Sequence, residues 1–276
     1  MGVFDKINMD KHILIDEGHH NYHTITSTYS VLAGALSKGG FNVSGHKGRF
    51  DSKSLNNTGI LIISNPAPFS VDSIVRWARA NNEPPKYAAI TLQPTFIESE
   101  VNVIEKWVRN GGSLLLILDH APSPLAGSPI AAVFGVECRN VSTYDRLSRD
   151  PSVDTTKALS IIFTRSNGLI GKHPILNGVD SLTTYTGESV LGSKKSAALL
   201  LLPSTATDQD WDFSTKQFRY RSAAGRTQGV ALKYGRGRVI ILGEAAMIGP
   251  DAISLTNRGN WQMTLNILRW LTGNLK

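Results

Sequence analysis

Short apolar runs that stop abruptly at polar residues alternate, along the first half of this chain, with segments whose apolar residues recur at helical spacing. His12 to Ile15 is such a run, closed by Asp16-Glu17-Gly18, and reads as a buried strand. Val31, Leu32, Ala35 and Leu36 then lie on one helical face, and Gly39-Gly40 stops the helix. Phe41 to Val43 reads as a second strand. Ile60 to Ile63 is a third, stopped by Ser64-Asn65-Pro66. Ser70 to Ala80 predicts a helix with Ile74, Trp77 and Ala78 on one side, and Ala88 to Leu92 a further strand. The clearest unit is a helix over Phe96 to Arg109, with Val101, Ile104 and Val108 on one face. It ends at Gly111-Gly112 and leads into the apolar run Ser113 to Leu118, closed by Asp119-His120. Runs that are apolar on both faces, separated by helices, predict a mostly parallel sheet covered on both sides.

The second half is less regular. Pro122 to Pro129 reads as a proline- and glycine-rich loop, and Ile130 to Phe134 as a short helix. Irregular insertions are expected near 140–158 and 204–227, with short strand-like pieces between Ile161 and Leu202. Gly229 to Tyr234 and Arg238 to Leu242, joined by Gly235-Arg236-Gly237, predict a hairpin. A helix from about Asn257 to Leu271 turns Trp261, Leu265 and Leu268 inward. The expectation is one α/β domain over residues 1–276.

Composition narrows the function. With 41% hydrophobic and 18% charged residues, the chain can bury a sizeable core. Cys138 is the one cysteine, so an internal disulfide and a cysteine-rich zinc site are excluded. Met1 to Lys11 carries no apolar signal-peptide core, and no run approaches the roughly 20 apolar residues that span a bilayer. A cytoplasmic protein without membrane contact is expected. The net charge of +7 is spread along the chain without a basic block or a nucleic-acid motif. It argues for a small polar or anionic partner rather than a nucleic acid. Homo-oligomerisation is compatible with the sequence.

Ligands of open parallel sheets bind outside the carboxyl ends of the strands. Four predicted strands carry polar groups there: Asp16, Glu17, His19, His20, Asn21 and His23 after the first; Ser64 and Asn65 after the third; Asp119 and His120; and Gly243 and Glu244. Asp16, Glu17, His20, Asp119, His120 and Glu244 are therefore the candidate catalytic groups. Carboxylates and imidazoles at one edge can exchange protons with a substrate. His20, His23 and Asp119 are candidate ligands of a divalent metal such as zinc. The alternative is that each polar group bonds its own turn or caps the next helix. His20 and Asp119 are expected in one solvent-connected pocket with Glu244 on its wall. Dinucleotide, phosphate-loop and Gly-x-Ser-x-Gly motifs are absent.

Three segments together carry a resemblance. They are Ile15-Asp16-Glu17-Gly18-His19-His20-Asn21; Trp107-Val108-Arg109-Asn110-Gly111-Gly112-Ser113 running into Asp119-His120-Ala121-Pro122; and Gly237-Arg238-Val239 running into Gly243-Glu244-Ala245-Ala246-Met247. His173-Pro174-Ile175-Leu176-Asn177-Gly178 also fits. The chain resembles the class I glutamine-amidotransferase-like superfamily, in its branch near the ThuA-like proteins. The resemblance implies a flavodoxin-like three-layer fold. It does not imply amidotransferase activity. Members with that activity place a nucleophilic cysteine on a sharp turn after a central strand, and the matching turn here holds Asp119-His120. Cys138, beside Glu137 and Arg139, reads as a small structural residue.

Two functions follow as expectations. One is an enzyme, a hydrolase or lyase acting on a small polar molecule through the carboxylate and histidine cluster. The other is a non-catalytic ligand-binding or protein-interaction domain on the same fold.

Overall fold

The computed structural model describes residues 12–84, 95–145, 147, 160–248 and 258–275. The strand expected over Ala88–Leu92 lies outside them. In chain order the first elements are β1 (His12–Asp16), α1 (Ser30–Lys38), β2 (Asn42–His46), β3 (Thr58–Ser64), α2 (Val71–Asn81), α3 (Glu98–Arg109), β4 (Ser113–Ile117) and α4 (Ser123–Val133). Short strands follow: β5 (Glu137–Cys138), β6 (Ser142–Asp145), β7 (Ser160–Thr164), β8 (Ser181–Tyr185), β9 (Val190–Leu191) and β10 (Ala197–Ala198). The last elements are β11 (Ala206–Asp212), β12 (Gln217–Ser222), β13 (Gly229–Tyr234), β14 (Gly237–Leu242) and α5 (Arg258–Thr272).

The central sheet has seven strands in the order β10-β13-β14-β4-β3-β1-β2. From β14 through β4, β3 and β1 to β2 every pairing is parallel, and β13 and β10 add antiparallel pairings at one side. The reason lies in the side chains. Alternate residues of each strand point to opposite faces, and here both sets are apolar. Ile13, Ile15, Ile60, Ile62, Leu115, Ile117, Ile240 and Leu242 join one core with Leu32 and Leu36 of α1 and Leu268 and Leu271 of α5. Leu14, Leu61, Ile63, Leu114, Leu116, Val239 and Ile241 join another with Val101, Ile104 and Val108 of α3 and Ile130 of α4. Full burial of such a side chain stabilises the fold by about 1.5–3 kcal/mol, so strands with two apolar faces are driven to the centre.

α3 ends at Gly111, whose φ of +117° an L side chain rarely adopts. The following Gly112 is fixed by packing, because a Cβ there would lie 2.2 Å from the Trp107 ring. That turn aims β4 into the middle of the sheet.

Two expectations are corrected. Residues 122–129 are not a loop: α4 starts at Ser123 and contains Pro124, Gly127 and Pro129. Pro124 sits in the first turn, where its missing N–H breaks no helical bond. A Cβ at Gly127 would lie 2.2 Å from a Leu118 methyl, so the glycine permits close packing on the sheet. The stretch 204–227 is not irregular either. β11 pairs with β12 through six residue pairs and with β6 on its other side. Its organising group is polar: buried Asp208 accepts hydrogen bonds from Arg139 Nη1 (2.7 Å), Thr143 Oγ1 (2.6 Å) and Ser189 Oγ (2.8 Å). Arg219 and Arg221, which read as loop residues, lie on exposed β12, both paired with Asp210.

Among the described residues no helix is long and apolar enough to cross a membrane.

Candidate functional site

The parallel run β14-β4-β3-β1 sends four consecutive carboxyl ends to one edge of the sheet. A cavity of about 560 Å³ opens there. His20, His23, Asn65, Asp119, His120 and Glu244 supply its polar lining, and Tyr22, Ile74, Val75, Pro122, Ser123 and Tyr185 line it too. His20, Asp119 and Glu244 thus share one cavity.

Asn65 organises the centre. Its φ is +46°, in the left-handed region that asparagine tolerates better than most residues. Its Oδ1 accepts the Asp119 N–H (3.2 Å), so its Nδ2 faces His23 Nε2 (3.2 Å) and Asp119 Oδ2 (3.4 Å). His23 Nε2 must then be the acceptor, and Nδ1–H donates to Thr28 Oγ1 (2.6 Å). The neutral ring stacks on Tyr29 with centroids 4.6 Å apart. Burial lowers the His23 pKa to about 4, against a smaller opposing pull from Asp119.

Asp119 is nearly buried and Oδ1 accepts its neighbour's N–H, that of His120, at 2.6 Å. His120 is exposed, and its Nδ1–H donates to the Ala121 carbonyl (2.8 Å), which leaves Nε2 as the acceptor of the neutral ring. Glu244 is fully buried and accepts from the N–H groups of Ala246 (2.7 Å) and Met247 (2.8 Å). Burial, and then the Asp119 carboxylate, raise its pKa well above the usual range, although the backbone donors oppose them. His20 is exposed with φ +54°, a left-handed conformation uncommon outside glycine.

Asp16 and Glu17 are not brought to the cavity. Asp16 is fully buried and braces the turn after β1: it accepts from Gly18 N (3.1 Å), His19 Nδ1 (2.8 Å) and Asn21 Nδ2 (3.1 Å). Glu17 Oε1 accepts from Ile25 N (2.8 Å), and its carboxylate fills the space where a Cβ on Gly45 would lie. Both satisfy backbone or local side-chain donors. Among the described residues no three His, Cys, Asp or Glu side chains are grouped to hold a metal, so the His20, His23 and Asp119 ligand set is not assembled. His23 uses both ring nitrogens on protein partners, which removes it as a ligand without rearrangement.

Ser123, Tyr185, Ile74 and Val75 are lining residues that the sequence does not mark. Tyr185 and Ser123 sit on elements whose approach to this edge is a tertiary fact, and no local pattern signals it. Asn65 carries the signal that matters, a polar residue directly after an apolar strand.

Cys138 does not line the cavity. Its thiol pKa is pushed well up by burial and by the neighbouring Glu188 carboxyl. Iodoacetamide at neutral pH should therefore leave native Cys138 unmodified and alkylate it once the chain is unfolded in urea. Fast labelling of the native protein, read by intact mass, would contradict the assigned environment.

No family model matches the chain, and no curated protein matches it. The mmIFT52 N-terminal domain shares its fold: TM-score 0.67 at 15% identity, over 95% of this chain and 97% of that one. Structural neighbours also include a putative ThuA-like protein from Bacteroides uniformis, with TM-score 0.45, 11% identity and coverage of 96% and 92%. A putative GMP synthase protein from Thermoplasma acidophilum has TM-score 0.47, 11% identity and coverage of 96% and 95%.

Proposed function

We propose that this protein is a small-molecule-binding domain with a flavodoxin-like, glutamine-amidotransferase-like architecture, and that its ligand sits at the carboxyl ends of β14, β4, β3 and β1. The observation that carries this reading is the cavity itself: about 560 Å³, walled by Ile74, Val75, Ala67 and Pro122, with Asp119, Asn65 and three histidines converging on it. Ligand sites combine an apolar wall with a few placed polar groups in this way. Because Asn65, His23 and Asp119 are already held by one another, the polar groups are preorganised, and binding orders few side chains.

Protein-observed NMR with a fragment library tests the proposal. Shifts are expected to cluster at residues 65–67, 74–75 and 119–123, and Ala67→Trp, which fills the cavity, should abolish them. Fragments that perturb only other surfaces would end it.

A second reading, a hydrolase or lyase, is favoured by the carboxyl pair of Asp119 and Glu244. A carboxyl whose pKa is pushed up by burial and by a neighbouring carboxyl is an acid/base arrangement. This reading expects wild-type protein to convert a cavity ligand chemically, as seen by mass spectrometry, and Asp119→Asn to bind it unchanged. Identical recovery of the ligand from both proteins would leave binding as the sole function.

A further inference from the structure

The charge of the whole chain and the charge of the cavity have opposite signs. The chain carries +7, yet among the described residues no lysine or arginine lines the cavity, and the charge placed there is the carboxylate of Asp119. The scattered surface cations act through water, where screening erases their field within about 8 Å at physiological ionic strength. Asp119, at 9% exposure, is screened far less and sets the local potential. His23 does not offset it, since its ring is bonded in the neutral form.

A second observation is independent of charge. Ser123 lines the cavity, is 5% exposed, and its Oγ has no hydrogen-bond partner. Buried hydroxyls are rarely left so, because an unmet polar group costs about 1–3 kcal/mol. Its hydroxyl can accept from a ligand donor with both lone pairs unused. The lining also includes two exposed tyrosines, Tyr22 at 60% and Tyr185 at 37%, a ring type that attracts cations.

Resting on the reading of this cavity as a ligand site, we propose that its ligand is a primary amine with an apolar body, its ammonium group donating to Asp119 and Ser123 Oγ and its hydrocarbon packed on Ile74, Val75 and Pro122. The ammonium has donors and no acceptors, which matches a carboxylate and an unpartnered hydroxyl. A carboxylate ligand would be repelled by the Asp119 carboxylate. A neutral alcohol would fill the apolar wall and forgo the charge-assisted bond.

Three probes of one skeleton separate these cases: 2-phenylethylamine, 2-phenylethanol and phenylacetate, titrated calorimetrically into the full chain near neutral pH. The amine should bind about tenfold or more tighter than the alcohol, the size of one charge-assisted hydrogen bond, and phenylacetate should bind weakest. Asp119→Asn should erase the preference by bringing the amine to the alcohol's affinity. Ser123→Ala, which removes a hydroxyl with no partner in the fold, should weaken the amine while leaving the melting temperature intact. Equal binding of amine and alcohol, or tightest binding of phenylacetate, overturns the amine assignment and leaves the ligand-site reading standing. Binding by none of the three at millimolar concentration overturns both.

Discussion

Glu100→Ala should lower the unfolding free energy by about 3–5 kcal/mol, the range for removing one partner from a buried ion pair. Glu100 lies on α3 at 1% exposure and makes no contact with solvent that could replace its bonds. Its Oε1 accepts from His19 Nε2 (2.9 Å) and Phe50 N (2.9 Å), and its Oε2 from Arg49 Nη1 (2.6 Å) and Ile97 N (3.1 Å). Burial works against the charge, but these four donors outweigh it and lower the Glu100 pKa. His19 lies between the Phe50 and Phe96 rings, at 5.3 and 4.1 Å, with Asp16 on its other nitrogen. Truncating Glu100 removes the acceptor of His19 Nε2, Phe50 N and Ile97 N at once, while exposed Arg49 keeps the Thr95 carbonyl. Glu100→Gln keeps the shape but turns an NH2 toward two of the donors, so it too should be destabilising. Urea denaturation reads both variants, and a loss below about 1 kcal/mol for the alanine variant, the value of an ordinary surface pair, would refute the network.

The same network explains why part of the site is legible in the sequence and part is not. Apolar runs ending in polar residues mark β1, β3, β4 and β14 and the edge where their ends meet, because a two-faced apolar strand has one stable place in an α/β domain. From that edge follow His20, His23, Asp119, His120 and Glu244. Asp16 carries the same local signature as Asp119, a carboxylate right after an apolar strand. The difference is tertiary: Asp16 meets His19 and Asn21 of its own turn, whereas Asp119 faces the cavity. α4 and the β11–β12 pair are illegible for the opposite reason. Their sequences argue against their structures, with two prolines and a glycine in one and a fully exposed strand in the other. Packing on Leu118 and hydrogen bonds to Asp208 override those preferences.

Two histidines of opposite behaviour should give the stability of the fold an acid limb and an opposing limb at higher pH. In His23 burial holds the folded pKa near 4 against 6.5 for the free side chain. The unfolded chain therefore binds the extra proton first, and the stability His23 contributes is present above pH 6.5 and lost as pH falls toward 4. The shift corresponds to about 3 kcal/mol when fully expressed. In the fold the proton has no place to go: Nε2 faces the Asn65 amide N–H, and turning that amide would break its bond from Asp119 N. His19 runs the other way. Burial disfavours its charge, but the hydrogen bonds and charges of Asp16 and Glu100 prevail and raise its pKa. Its contribution is complete below pH 6.5 and is lost as pH rises through the raised value. The two histidines should thus contribute limbs of opposite slope to urea unfolding across pH. His23→Gln should flatten the acid limb, and His19→Gln the alkaline limb, each at some cost to the maximum. Acid sensitivity that survives unchanged in His23→Gln would show that another group takes up the proton, and would remove the neutral, doubly bonded His23 on which the electronegative character of the cavity depends.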